Sequence, residues 1–144
     1  MREDYSYWYA MDVRWGDMDA QAHVNNAKYF TFFESARIAF FDSVDVRIHG
    51  ADRNEGPVLV TTTANFRRQV RYPARLEIGV RLTRIGNRSI ALEMAAFLAG
   101  SDDVVAEATS VNAWVDYSRD ASADLPDSLR AALAPHLHAR SSGD

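Results

Sequence analysis

The sequence predicts an α+β domain in which an antiparallel sheet of about five strands curls around one long central helix. Three observations carry that expectation. Tyr29, Phe30, Phe33, Ala36, Arg37 and Phe40 recur at spacings of three and four, the period of a helix with a strongly apolar side. Downstream the apolar period becomes two over four long stretches, the pattern of strands with one buried face. Those stretches are separated by "YPA", "GN" and "GSDD", which are hairpin punctuation. At 144 residues the chain suffices for one domain with one core.

In chain order, Tyr5 to Trp15 is aromatic with broken alternation and reads as a first strand. A polar loop follows, and from Asn26 the helix begins, with Asn25 or Asn26 as its N-cap. Phe32 and Phe41 widen its apolar stripe, so the helix should be covered on most sides. Asp42 to Pro57 carries scattered charge, ends in Gly-Pro and reads as a loop. The strands expected next are Val58–Gln69, Arg75–Ile85, Arg88–Leu98 and Val104–Tyr117. Leu76, Ile78, Val80 and Leu82 share one face, as do Ile90, Leu92, Met94, Ala96 and Leu98. Small residues such as Ala95 and Ala106 should let the sheet sit close to the helix. Pro126 opens a terminal helix over Asp127 to Ala139. One domain over 1–140 and a frayed tail over 141–144 are expected.

Composition removes several chemistries. With no cysteine there is no disulfide framework, thiolate nucleophile or cysteine metal site. The N-terminus lacks the basic start and apolar core of a signal peptide, and no apolar run has the roughly 18 residues of a membrane span. A cytoplasmic protein with no membrane partner is expected. The net charge of −4 argues against nucleic acid as the main partner. Between Asn65 and Ile90, however, seven arginines (Arg67, Arg68, Arg71, Arg75, Arg81, Arg84, Arg88) stand against Glu77 alone. Such a stretch either solvates strand faces or holds an anion.

The polar loop gathers Asp17, Asp19, Gln21, His23, Asn25 and Asn26 just ahead of the aromatic helix. A calcium loop starting at Asp17 fails at its sixth position, Ala22, where a glycine is needed, and at its twelfth, Lys28, where a glutamate is needed. Zinc would want three or four ligands, and only Asp17, Asp19 and His23 lie close together; no metal is expected. No GxSxG elbow and no glycine-rich phosphate loop are present. What remains is a carboxylate and an imidazole before a helix N-terminus. The unpaired N–H groups of that first turn can stabilise a developing oxyanion, one donor by on the order of 3 kcal/mol. The carboxylate can attack an acyl carbon or deprotonate a water. The same residues also suit a plainer role, with the aspartates and asparagines capping turns and helix and His23 buried and satisfied.

The stretch "RWGDMDAQAHVNNAKYFTFFESAR" resembles the N-terminal signature of the 4-hydroxybenzoyl-CoA thioesterase family of hotdog-fold enzymes: a strand, W-x-D-x-D, then a long aromatic helix with E-x-x-R. The D-x-D-x-x-x-H-V-N-N form is also similar to the plant acyl-ACP thioesterases. The resemblance implies a hotdog domain over nearly the whole chain and hydrolysis of an acyl-CoA, without cofactor, to free acid and CoA. It places the catalytic carboxylate on Asp19, as nucleophile or general base, and gives Asp17 a structural role. His23 matches the plant enzymes' histidine. Gln21 stands where they carry asparagine, and the oxyanion donors fall around Asn25 and Asn26. The expected catalytic set is therefore Asp19, His23, Gln21 and Asn26, with Asn25, Tyr29, Arg68, Arg88 and Ser89 as substrate contacts. "GNRS", Gly86 to Ser89, is the expected contact for pantetheine or nucleotide. The resemblance further implies a homodimer or homotetramer with sites between protomers. Acyl carrier protein as the thioester carrier, a hotdog dehydratase or hydratase, and a non-catalytic acyl-thioester binder remain the alternatives.

Overall fold

The computed structural model describes residues 1–46 and 54–138. One antiparallel sheet is built from β1 (Tyr7–Asp12), β2 (Glu55–Phe66), β3 (Arg75–Ile85), β4 (Ser89–Leu98), β5 (Val104–Asp116) and the short β6 (Ala121–Ser122). The spatial order is β1-β3-β4-β5-β2 with β6 paired to β5, so β1 and β2 form the edges of the main sheet. The long helix α1 (Asn26–Ser43) packs against β1 and β3, and α2 (Asp127–Leu133) against β3.

The apolar periods explain this arrangement. Leu76, Ile78, Val80 and Leu82 of β3 and Ile90, Leu92, Met94 and Ala96 of β4 are fully buried in one cluster with Phe32, Phe33, Ala36, Phe40 and Phe41 of α1. Each buried phenylalanine contributes on the order of 2–3 kcal/mol. Ala106 faces that core, as expected. Ala95 does not belong to it: paired with Gly79, it lies on the opposite face of the sheet, beneath the N-terminal segment. There Tyr5 packs edge-on to Phe97, Arg2 lies 4.4 Å from the centre of the Trp8 ring, and Arg2 also bonds Glu77. A Cβ on Gly79 would come within 2.6 Å of the Tyr5 ring, so a glycine is needed there for this closure.

Several expectations shift at their edges, those of β4 and β5 by one residue each. The first strand spans only Tyr7–Asp12, because a 3-10 turn at Trp15–Asp17 ends the extended run. Gly56 and Pro57 lie inside β2, which runs Glu55–Phe66 and stops short of Gln69; Pro57 is tolerated because β2 is an edge. The rest of the expected loop narrows to the residues after α1, of which 47–53 lie outside the described residues. Finally, the terminal helix ends at Leu133 and a 3-10 turn holding Pro135 follows. The expected tail, 141–144, also lies outside the described residues.

Candidate active site

The polar loop is a closed structure rather than a slack connection. Val13 donates to the Ala74 carbonyl at 2.8 Å, after which the chain turns through Trp15–Asp17. Asp17 is 0% exposed; its carboxylate accepts the Arg14 backbone N–H at 2.8 Å and the Arg14 guanidinium at 3.0 Å. Burial acts to raise the Asp17 pKa, but those hydrogen bonds and the Arg14 charge outweigh it and hold the group below its usual value. The Asp17 carbonyl accepts the Asn25 N–H at 3.0 Å, tying the loop's start to the helix entry.

Inside that tie, Met18 and Val24 pair as an antiparallel bridge, and the Asp19 N–H reaches the His23 carbonyl at 2.9 Å. Ala22 turns the chain with a φ of 63°. The Asp19 carboxylate stays exposed, one oxygen accepting the Gln21 N–H at 2.9 Å. Val24 donates to the Val70 carbonyl at 2.8 Å, which fixes the loop to the segment leaving β2. Asn25 is the N-cap, its side chain accepting the Ala27 N–H at 3.1 Å. Asn26 opens α1, and its N–H has no acceptor within the helix.

These residues meet in a cavity of about 280 Å³. Asp19, Gln21, His23, Val24, Asn26 and Tyr29 line it from the loop and helix, and Phe66, Arg67, Arg68 and Gln69 from the end of β2 and the residues after it. Two polar atoms of its lining residues are buried with no hydrogen-bond partner among the described residues: His23 Nδ1 and the Tyr29 hydroxyl. Buried polar groups are ordinarily satisfied, and these two lie behind the cavity wall with no partner in the chain. Burial pushes the Tyr29 hydroxyl up to about 12, leaving it a neutral donor. Its ring is held edge-on to Phe32 and tilted against Phe66. Among the described residues no three His, Asp or Glu side chains converge as they do around a metal ion.

Of the residues singled out in the sequence, the cavity brings together Asp19, Gln21, His23, Asn26, Tyr29 and Arg68. It does not include Asn25, whose amide is used as the helix cap, nor Arg88 and Ser89. Arg88 sits at the β3–β4 turn, bonded to Asp124 at 2.7 Å and Ser122 at 3.1 Å. Most of the arginine stretch is neutralised in the same way. Arg67 pairs with Glu107, Arg68 with Asp103, Arg75 with Asp12 and Arg81 with Glu93. Phe66, Arg67, Val24 and Gln69 were not read as site residues; only the charge of Arg67 marked its neighbourhood in the sequence.

A curled antiparallel sheet around one helix, with a polar cavity at that helix's N-terminus, is a hotdog domain. Residues 13–133 match the thioesterase-like superfamily, and the chain belongs to that family. Long-chain acyl-CoA thioesterase FadM of Escherichia coli (strain K12) is 29% identical over 121 residues, 84% of this chain and 92% of FadM. Protein YsmA of Bacillus subtilis (strain 168) is 25% identical over 91 residues, 63% of this chain and 60% of YsmA. The crystal structure of the PA5185 protein from Pseudomonas aeruginosa superposes with a TM-score of 0.89 at 30% identity, covering 97% of each chain.

Proposed function

We propose that this chain is an acyl-CoA thioesterase: water adds to the acyl carbon, the C–S bond breaks, and a carboxylic acid and CoA thiol leave. The convergence of Asp19, His23 and the Asn26 end of α1 in one cavity carries the reading. The Asn26 N–H, reinforced by the helix dipole, takes the developing oxyanion. Asp19, with one carboxylate oxygen engaged by Gln21, uses the other to attack or to deprotonate the attacking water. His23 Nδ1 and the Tyr29 hydroxyl hydrogen-bond the water or the substrate, and Gln21 orients the carboxylate. Thioesters suit so modest a site because their carbonyl is weakly resonance-stabilised and thiolate is a good leaving group. Arg67 and Arg68 hold their carboxylates at the surface, where ion pairs are weak, so both can turn to the phosphates of coenzyme A.

The same reading assigns the β2 edge to a homodimer whose sheets join, with a homotetramer as a pair of such dimers. It also assigns the protein to the cytoplasm, where acyl-CoA is used; among the described residues no helix is long and apolar enough to cross a membrane.

The test is thiol release from short, medium, long and aromatic acyl-CoAs by the wild type and Asp19→Asn. Turnover on at least one substrate should fall by roughly a hundredfold or more in the variant, with unchanged melting temperature. Equal turnover in both proteins removes Asp19 from the chemistry. No thiol from any acyl-CoA rejects coenzyme A as the carrier, and acyl-ACP is then assayed. A single turnover in ¹⁸O-water labels the Asp19 carboxylate only if it attacks directly.

A further inference from the structure

The two stretches of chain that line the cavity also carry a pair of aromatic rings on the outer surface. Trp15 is 76% exposed and Tyr72 45%, and the rings stand edge to face with their centres 5.8 Å apart. Neither is loosely held. Trp15 opens the 3-10 turn fastened by buried Asp17. Tyr72 lies between Val70 and Ala74, whose carbonyls accept the Val24 and Val13 N–H groups at 2.8 Å. Both rings therefore sit between the two ties that fix the loop to the segment leaving β2. Two large rings grouped, held and left in water form an apolar platform of the kind that marks a binding surface.

The surroundings indicate what it binds. Asp19 follows Trp15 by four residues and Gln69 precedes Tyr72 by three, so each ring is at most about 14 Å of extended chain from a residue lining the cavity. Along the second segment runs a line of cations: Arg67 and Arg68 at the cavity, then Arg71, exposed and with no ion pair among the described residues. The acids of the facing stretch do not oppose it, since Asp17 is buried against Arg14 and Asp12 is paired with Arg75. Coenzyme A has the matching layout. Its thioester ends a flexible pantetheine arm at least that long, and its phosphates and purine lie at the other end. A purine offers a flat face to an indole, and a phosphate offers its oxygens to a guanidinium.

We propose that Trp15 and Tyr72 seat the adenine of the acyl-CoA, with Arg71 on its phosphates, so that the nucleotide is held by the same two segments that present Asp19 and the cavity. The inference rests on the acyl-CoA reading above and adds where the carrier end binds. It moves the nucleotide away from Gly86 to Ser89, where Arg88 is already bonded to Asp124 and Ser122. A ring that merely closes its turn affects every substrate alike, whereas a nucleotide platform affects only substrates that carry a nucleotide.

The experiment therefore compares one acyl group carried on coenzyme A and on pantetheine, using wild type, Trp15→Ala and Arg71→Ala. With acyl-CoA, KM should rise roughly tenfold in Trp15→Ala and roughly threefold in Arg71→Ala, while kcat stays within about twofold. With acyl-pantetheine, neither substitution should move kcat/KM by more than about twofold. Adenosine 3′,5′-bisphosphate should compete with acyl-CoA on the wild type and bind Trp15→Ala roughly tenfold more weakly. A KM raised equally on both substrates, a KM unmoved on acyl-CoA, or a bisphosphate that inhibits both proteins alike overturns the platform and leaves the thioesterase in place. A wild type that releases no thiol from any acyl-CoA rejects that reading and the platform with it. Circular dichroism reports whether each variant folds. Should Trp15→Ala not fold, the exposed Arg71→Ala decides alone: its KM must rise on acyl-CoA and not on acyl-pantetheine, and an unmoved ratio between the two overturns the placement.

Discussion

Asp17 and Asp19 differ by two positions and should respond to the same substitution in opposite ways. Asp17→Asn keeps the shape of a fully buried side chain but removes the charge that Arg14 meets through its N–H at 2.8 Å and its guanidinium at 3.0 Å. The amide oxygen can still accept one bond, whereas its NH₂ group then faces a donor. Hydrogen bonds to a charged group are worth about 1.5–3 kcal/mol each, and one is lost, so a cost of about 2 kcal/mol is expected. For a domain of this size that corresponds to roughly 6 °C in melting temperature. Because the Asp17 carbonyl also receives the Asn25 N–H, loosening this turn should lower turnover as a secondary effect.

The assay is thermal melting of wild type, Asp17→Asn and Asp19→Asn at equal protomer concentration, across pH. The folded pKa of Asp17 is lowered, so its stabilisation is fully present above the unfolded value, about 3.9, and is lost as pH falls through the folded one. The gap between Asp17→Asn and wild type should therefore be constant near neutrality and close below roughly pH 4. Melting of Asp17→Asn within about 1 °C of wild type at pH 7, or a gap that widens in acid, refutes the assignment of Asp17 as the loop's buried anchor.

Three further outcomes follow from the same geometry. Tyr29→Phe removes a hydroxyl that has no partner in the chain, so stability should hold or rise slightly while kcat/KM falls by about tenfold; a loss of stability without a kinetic effect contradicts a substrate-facing role. Gly79→Ala places a Cβ 2.6 Å from the Tyr5 ring and should cost about 1–3 kcal/mol, with altered Trp8 fluorescence as the N-terminal segment lifts; Tyr5→Ala in the same chain should restore part of the loss. Arg88→Ala should leave kcat and KM within about twofold of wild type, since Arg88 is bonded to Asp124 and Ser122 and does not line the cavity; a large rise in KM restores it as a substrate contact.

The part of the site that could be read in advance is the part that is local. Asp19, Gln21, His23 and Asn26 fall within eight residues, and the loop that presents them is closed by its own Met18–Val24 bridge. Phe66 and Gln69 come from forty or more positions away, and the bond from Val24 to Val70 ties their segment to the loop. No pattern within either segment carries that contact. The partners of the arginine stretch were hidden from the sequence for a related reason. Its sequence neighbours include a single acid, but its strand neighbours include Glu107, Asp103, Asp12 and Glu93, supplied by pairings between distant segments. Strand interiors were legible from their alternation, whereas their ends were set by turns such as Trp15–Asp17, whose bonds run between side chain and backbone.

The crowding of polar groups against an apolar helix now has a physical reason. In the mechanism proposed, the helix N-terminus stabilises an oxyanion only if its first N–H groups keep a fixed position relative to the Asp19 carboxylate, because misplacement of even an ångström is costly. The phenylalanines of α1 supply one half of that constraint by burying the helix in the curl of the sheet. The other half is polar: buried Asp17 fastens the loop to Arg14 and to the Asn25 N–H, and Asn25 caps the helix it precedes. With those groups spent on structure, Asp19 is the acid of the D-x-D pair left with a carboxylate oxygen free at the cavity, and Asn26 presents the first unclaimed helical N–H. Substituting the apolar half should move the helix and lower stability and rate together, whereas substituting Asp19 should lower the rate alone.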